Sequence, residues 1–332
     1  MPDIDKKGIF GYFGGGLRDK VTLVRASGDL DADLTHRGNR RKFKVPGRAR
    51  DSAGRSHVGE HLRKERELQH GKREKGNGPP GLFSLKEKAA IVTGGGSGLG
   101  RAIAKGLADA GAWVAVADIS KDSAQSVAKE IRARKGQAIA LKLDVTQLTQ
   151  VEAMAQEVQE KRGQVDILVN SAGITFRSPA LEYPEGEWDR VLNVNLKGTF
   201  LCCQAVGKAM VAQGKGSIIN IASIGGLVGY GGCIAYLASK GGVVQLTRGL
   251  AVEWAKAGVR VNAIAPFVFD TPLVSQIKVR EPDHFQRMID KAPMGRLGHA
   301  EELIGTAIFL ASAASELITG HILAVDGGFL AQ

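Results

Sequence analysis

The sequence predicts a doubly wound α/β domain over residues 83–332. About seven parallel strands, with helices on both faces, follow a basic N-terminal extension of low order at residues 1–82. Two observations predict the fold. From about Leu82 onward, short apolar runs alternate with amphipathic stretches of helical spacing, and β-α alternation of this kind means a parallel sheet covered on both faces. The first apolar run also ends in a cluster of glycines that opens the first helical stretch. A third observation predicts the extension: the composition of residues 1–82 is rich in Arg, Gly, Asp and Lys and shows no sustained apolar period.

The elements follow in order. "AAIVTG" is a buried strand, and "RAIAKGLADAG" is a helix that Gly111 stops. "WVAVAD" is the second strand, "SAQSVAKEIRARKG" an amphipathic helix and "QAIALKLDV" the third strand. "QVEAMAQEVQEKRG" is a helix and "VDILVN" the fourth strand. A helix through 188–213 precedes the fifth strand, "SIINIAS", and a helix through about 235–257 precedes the sixth, "VRVNAIAP". A helix near 300–311 and a last strand, "HILAVDGG", complete the alternation. Right-handed crossovers then place ligands at the carboxyl ends of the strands.

Charge is unevenly placed. Of the net +11, residues 1–82 carry +8, from 19 basic against 11 acidic side chains, which leaves +3 for the remaining three quarters. A nearly neutral body suits an enzyme of small metabolites better than a nucleic-acid binder. The leader, with "RRKFKVPGRAR" and "RKERELQHGKREKGNGPPG", reads as solvated chain with a short charged helix at 61–70. Its aromatics are sparse for base stacking, so a dispensable tail or a start placed too far upstream is favoured over a nucleic-acid arm. Acidic residues from Asp3 onward argue against an organelle-targeting peptide. The three cysteines, Cys202, Cys203 and Cys233, have no paired spacing, which points to a reducing compartment and a cytoplasmic protein. No apolar run has the length of a membrane span, and no secretory signal opens the chain. No histidine falls in a zinc-ligand spacing, so no catalytic metal is expected.

The first strand runs into "TGGGSGLGRA", residues 93–102. The spacing T-G-x-x-x-G-x-G is met by Gly94, Gly98 and Gly100, with Ser97 and Leu99 between them. Glycines allow the tight turn and let backbone N–H groups approach a pyrophosphate at the N-terminus of the next helix. A Rossmann-type dinucleotide site is therefore expected. Asp118 ends the second strand, where an acidic side chain hydrogen-bonds the adenosine ribose. Its charge would repel the 2′-phosphate of NADP, and Ser97 offers no compensating cation, so NAD is favoured over NADP. The plainer reading makes Asp118 a cap for the helix that begins near Ser120. Asp144, followed by Val145 at the end of the third strand, is expected near the adenine or, again, as a cap.

Taken in order, "TGGGSGLG", "NSAG" (170–173), "NVNLKG" (193–198), "IAS" (221–223), "YLASK" (236–240), "NAIAP" (262–266) and "VDGG" (325–328) resemble the short-chain dehydrogenase/reductase family over roughly the last three quarters of the chain. The resemblance implies a catalytic tetrad of Asn195, Ser223, Tyr236 and Lys240. It also implies cofactor contacts from Asn170, Ala172 and Gly173, from Tyr236 and Lys240, and from Pro266, Phe269 and Thr271. Tyr236 would exchange a proton with the substrate oxygen. A free phenol, with a pKa of about 10, is a weak base at neutral pH. Lys240, one helical turn on, would favour the phenolate and hold the nicotinamide ribose. Ser223 would orient the substrate oxygen, and Asn195 is implied to hold a water that links Lys240 to solvent. Taken singly, each residue reads as an ordinary surface, strand-end or capping side chain.

Three departures stand out. Ser171 replaces the family's asparagine, Phe267 stands where the family has glycine after Pro266, and the family does not require the leader. Phe267 is expected to strain the loop or reshape the nicotinamide pocket.

The stretch from Asp270 to Leu303 reads as a substrate lid. "CCQAV" and "PMGRLGHAEEL" resemble family members that oxidise sugar acids. Arg177, Arg280 and Arg287 are candidates to pair with a substrate carboxylate. The expected activity is NAD(H)-linked interconversion of a secondary alcohol and a ketone in a sugar acid or polyol. The alternatives are an NADP(H)-dependent 3-oxoacyl-carrier-protein reductase and a non-catalytic NAD-binding regulator with a basic arm. The family implies a homotetramer built on the helices at 188–213 and 235–257.

Overall fold

The computed structural model describes residues 22–25, 30–36, 39–43, 79–280 and 282–332. The chain divides into two compact units, Met1–Lys75 and Gly76–Gln332. In the first, strands Thr22–Arg25, Leu30–His36 and Asn39–Phe43 pair antiparallel in sequence order. Alternation of Leu30, Ala32 and Leu34 with Asp31, Asp33 and Thr35 supplies the period of two that the middle strand needs, over a stretch too short to stand out in a basic background. The expected helix at 61–70 lies outside the described residues.

The second unit is a seven-stranded parallel sheet. Its strands are β1 (Ala89–Thr93), β2 (Trp113–Asp118), β3 (Gln137–Lys142), β4 (Ile167–Asn170), β5 (Gly216–Ile221), β6 (Val259–Pro266) and β7 (Ile322–Val325). Their spatial order is β7-β6-β5-β4-β1-β2-β3. The order reverses between β1 and β4, and that reversal opens the crevice in which ligands of such sheets bind.

Both faces of the sheet are covered, so the strands read as unbroken apolar runs. On one face, Ala90, Val92, Val114 and Val116 meet helices α1 (Gly98–Asp109) and α2 (Lys121–Ala133) through Ile103, Leu107, Val127 and Ile131. On the other, Ile91, Ala115, Leu168 and Ile218 meet α3 (Leu148–Arg162) through Val151, Met154 and Val158. Each of these large side chains stabilises the fold by about 1.5–3 kcal/mol on full burial.

The single helix read at 188–213 is three pieces: α4 (Glu185–Leu192), a π-helical turn (Asn193–Lys197) and α5 (Gly198–Gln213). Helix α6 (Ile234–Trp254) carries the Tyr-Lys pair. Two short helices, α7 (Pro272–Arg280) and α8 (Pro282–Asp290), form the expected lid segment, and α9 (Ile304–Ala311) precedes the last strand. Among the described residues, no helix is long and apolar enough to cross a membrane.

Candidate active site

A cleft of about 750 Å³ opens at the carboxyl ends of the strands. Most of the expected cofactor residues line it together: Gly94, Ser97, Gly98, Leu99, Gly100, Asp118, Asp144, Val145, Ala172, Gly173, Tyr236, Lys240, Pro266, Phe269 and Thr271. The glycine loop is built for close approach. Gly94 has φ +62°, and a Cβ there would lie 2.8 Å from the Ala172 backbone. A Cβ on Gly100 would come within 2.2 Å of the Gly94 carbonyl oxygen. Ser97, at the start of α1, makes no side-chain cap, so the first amides of this twelve-residue helix remain for a ligand. These features fit a pyrophosphate.

Asp118 lines the cleft, but the N-cap of α2 is Ser120 rather than Asp118, whose carboxylate is held by backbone amides. One carboxylate oxygen accepts the Ser120 N–H at 3.0 Å, and the other accepts the Gly96 N–H at 2.9 Å, tying the second strand to the glycine loop at the cleft. Asp144 likewise accepts from Thr146 N–H at 2.9 Å while lining the cleft. The "NSAG" turn is intact with Ser171 in place of asparagine: Ser171 N–H donates to Thr93 Oγ1 at 3.2 Å, on β1. Asn170 is different. Its amide points into the core, where it donates to Asn220 Oδ1 at 2.9 Å and to Cys203 Sγ at 3.2 Å, and Asn220 continues the chain to Thr247. It supports the turn from behind and does not line the cleft. Phe269 packs its ring in the core, 5% exposed, and contributes a wall rather than a polar contact.

The tetrad residues converge. Ser223, at the end of the fifth strand, and Tyr236 and Lys240, on successive turns of α6, all face the cleft. Ser223 Oγ accepts the Gly225 N–H at 3.0 Å and faces the cleft together with the Tyr236 phenol. Lys240 Nζ lies 5.7 Å from the Tyr236 ring centroid and donates to the Ile221 carbonyl at 2.7 Å. Asn195 is fully buried in the π-helical turn. Its amide accepts the Ile174 N–H at 2.8 Å, and donates to the Ile174 carbonyl at 2.9 Å and to Ser239 Oγ at 3.0 Å. The side chain thus braces the β4 loop against α6, and its Oδ1 and Lys240 Nζ both lie close to Gly173, where a Cβ would meet them at 3.4 and 3.7 Å.

Burial sets the electrostatics. It pulls the Lys240 ammonium down to about 8. It raises the Tyr236 phenol above its ordinary value, against a smaller lowering by the neighbouring Ser223 hydroxyl. Phe267 causes no backbone strain: among the described non-glycine residues only Glu87 and Lys135 have positive φ.

A smaller chamber of about 80 Å³ adjoins the cleft beside Tyr236. Of the three arginines, Arg177 lines it; Arg287 is exposed, and the Arg280 side chain lies outside the described residues. Sequence reasoning missed Tyr230 and Cys233, which also line it, and Ile119, Thr146 and Arg190 in the main cleft. None of these residues belongs to a motif, and only their place in the fold brings them in.

A family model described as enoyl-(acyl carrier protein) reductase matches residues 94–330. The chain is 44% identical to the 2-dehydro-3-deoxy-D-gluconate 5-dehydrogenase of Bacillus subtilis, over 75% of this chain and 97% of that one. The chain belongs to the short-chain dehydrogenase/reductase family. It is thus an oxidoreductase of this family acting on CH–OH groups. It is also 38% identical to the NAD-dependent glycerol dehydrogenase of Listeria innocua, over 74% of this chain and 95% of the relative. A solved gluconate 5-dehydrogenase from Burkholderia cenocepacia, in complex with NADP and tartrate, superposes with a TM-score of 0.74 at 37% identity, covering 77% of this chain and all of that one. These matches leave the leader outside the family domain.

Proposed function

We propose that this short-chain dehydrogenase/reductase interconverts a secondary alcohol and a ketone in a sugar acid or polyol, with Tyr236 as acid and base and NAD(H) as the preferred dinucleotide. The observation that carries the reading is the convergence of Tyr236, Ser223 and Lys240 at one end of a cleft whose other end is the glycine loop.

A nicotinamide held by the glycine loop and Lys240 would supply or accept the hydride. In the reductive direction, Tyr236 Oη donates a proton to the oxygen that becomes the alcohol, and burial keeps the phenol protonated for that task. Ser223 Oγ, with one lone pair taken by the Gly225 N–H, keeps its own proton for the substrate oxygen or the phenol. Lys240 places its positive charge beside the ring and keeps donor capacity for the ribose hydroxyls. Asn195 holds the Ile174 loop and α6 in register, which fixes Tyr236 against the cleft. In the chamber, Arg177 contributes the cation for a substrate carboxylate.

Dinucleotide turnover at 340 nm against gluconate, galactitol, threitol and glycerol tests the activity. Tyr236→Phe should lower kcat at least a thousandfold and leave NADH affinity within a few-fold; turnover that survives the change would overturn the assignment. Asp118, its carboxylate at the loop beside Gly96, supports NAD. NADP carried by the Burkholderia relative is the competing case. Asp118→Ser should raise the NADP-to-NAD ratio of kcat/KM at least tenfold, and a wild type that already prefers NADP would refute the preference.

A further inference from the structure

Phe267 occupies the place where the family resemblance expects glycine, directly after the last residue of β6. Its backbone N–H donates to the Val325 carbonyl at 3.1 Å. Its ring is stacked on Phe329, with centroids 4.9 Å apart and planes 22° from parallel. Phe329 is itself held. The Asp326 carboxylate accepts the N–H groups of Gly328 at 3.0 Å and Leu330 at 2.9 Å, and so pins the C-terminal turn that carries the ring. An offset aromatic pair of this kind adds about 0.5–1.5 kcal/mol beyond its buried area. A glycine at 267 would leave Phe329 without this partner.

The position of the ring gives it a role beyond packing. Phe267 lines both the main cleft and the small chamber, and so do Ser223 and Tyr236. It therefore stands as a partition where the two spaces meet, beside the groups that handle the reacting oxygen. The chamber behind it is about 80 Å³. At about 30 Å³ for each water-sized group, that is room for roughly two or three such groups. Much of the remaining wall is apolar, with Val268, Phe285 and Met288.

We propose that Phe267, clamped by Phe329, is the residue that sets substrate length, admitting three- and four-carbon hydroxy compounds and excluding six-carbon chains. The proposal rests on the secondary-alcohol reading above and narrows its substrate class. The phenyl ring fills the space that a longer chain would need on the far side of its reacting carbon. A steric limit of this kind discriminates strongly, because a single methylene in a tight pocket is worth about 10–200-fold in kcat/KM.

The test uses the full chain with glycerol, D-threitol, galactitol and D-gluconate, each with NAD and NADP. Wild type should favour the two shorter compounds at least tenfold in kcat/KM. Phe267→Gly should shift that ratio toward the six-carbon compounds by at least tenfold, and Phe329→Ala should shift it the same way by less. Six-carbon compounds used as well as four-carbon ones by wild type, or an unchanged ratio in a folded Phe267→Gly, overturns the proposal. If Phe267→Gly does not fold, the wild-type ratio and Phe329→Ala decide. Should nothing in the series turn over, the broader reading fails on its own. Protection against thermal unfolding by the same four compounds, in the presence of NADH, then decides the length limit: stabilisation by the short pair alone supports it, and equal stabilisation by all four overturns it.

Discussion

Lys240 shows how one buried residue ties function to stability. The residue is 5% exposed, and its pKa is depressed from 10.5 to about 8. A depressed lysine destabilises the fold while charged: the penalty is full below about pH 8 and disappears as pH rises toward 10.5, where the unfolded chain also loses its proton. At about 1.4 kcal/mol per pKa unit, the penalty at pH 7 is about 3 kcal/mol. Lys240→Met should therefore abolish turnover and still unfold at higher denaturant than wild type at pH 7, with the two curves converging by about pH 10. Parallel stability–pH curves would mean that the ammonium is better solvated than its burial implies. The raised Tyr236 phenol adds a second signature. Alcohol oxidation, which needs the phenolate, should climb with pH through the neutral range, whereas ketone reduction should stay flat there and decline above about pH 8 as Lys240 loses its charge.

At the scale of elements, the sequence carried what periodicity and glycine can carry. The "TGGGSGLG" loop was legible because a strand, a turn and a helix each leave their own residue pattern, and Tyr236 and Lys240 were legible as neighbours because four residues make one helical turn. The π-helical turn at Asn193–Lys197 was not, because one extra residue in a turn changes neither composition nor apolar content. It matters because it places Asn195 between the β4 loop and α6, where it makes three hydrogen bonds. The resemblance places Asn170 at the cofactor because it opens the "NSAG" motif, but all four residues of β4 are buried, so no exposed side marks the direction of its amide. The Phe267–Phe329 stack joins residues far apart in the chain, a pairing no local pattern announces. The brace gives a prediction. Asn195→Ala leaves the half-buried Ile174 N–H without its acceptor and the Ile174 carbonyl without its donor, so it should lower unfolding free energy by about 1–3 kcal/mol. It should also reduce kcat more than it weakens NADH binding, because the displaced element is the one that carries Tyr236. Denaturant melts together with NADH titration read both effects, and an unchanged melt would remove the brace from the account.

Two helices of the second unit present outer faces that lack partners among the described residues. On α6, Ala238, Gln245, Gly249 and Val252 are exposed along one side, with Val252 at 83%. On α5, Phe200 and Val211 are exposed at 38% and 39%. Small residues let helices approach closely, and exposed apolar side chains on a packed helix mark association surfaces. The near-neutral charge of residues 83–332 also weakens the repulsion that would keep copies apart. We expect a homotetramer with α5 and α6 at one of its interfaces. Val252→Glu should place charges against each other across that interface and halve the assembly mass or reduce it to a monomer, as read by light scattering after size exclusion. Because α6 carries Tyr236 and Lys240, dissociation should also lower turnover per subunit. A wild type that runs as a monomer at micromolar concentration, with full activity, would sink this idea. An intact tetramer in Val252→Glu would instead move the interface to another face of the domain.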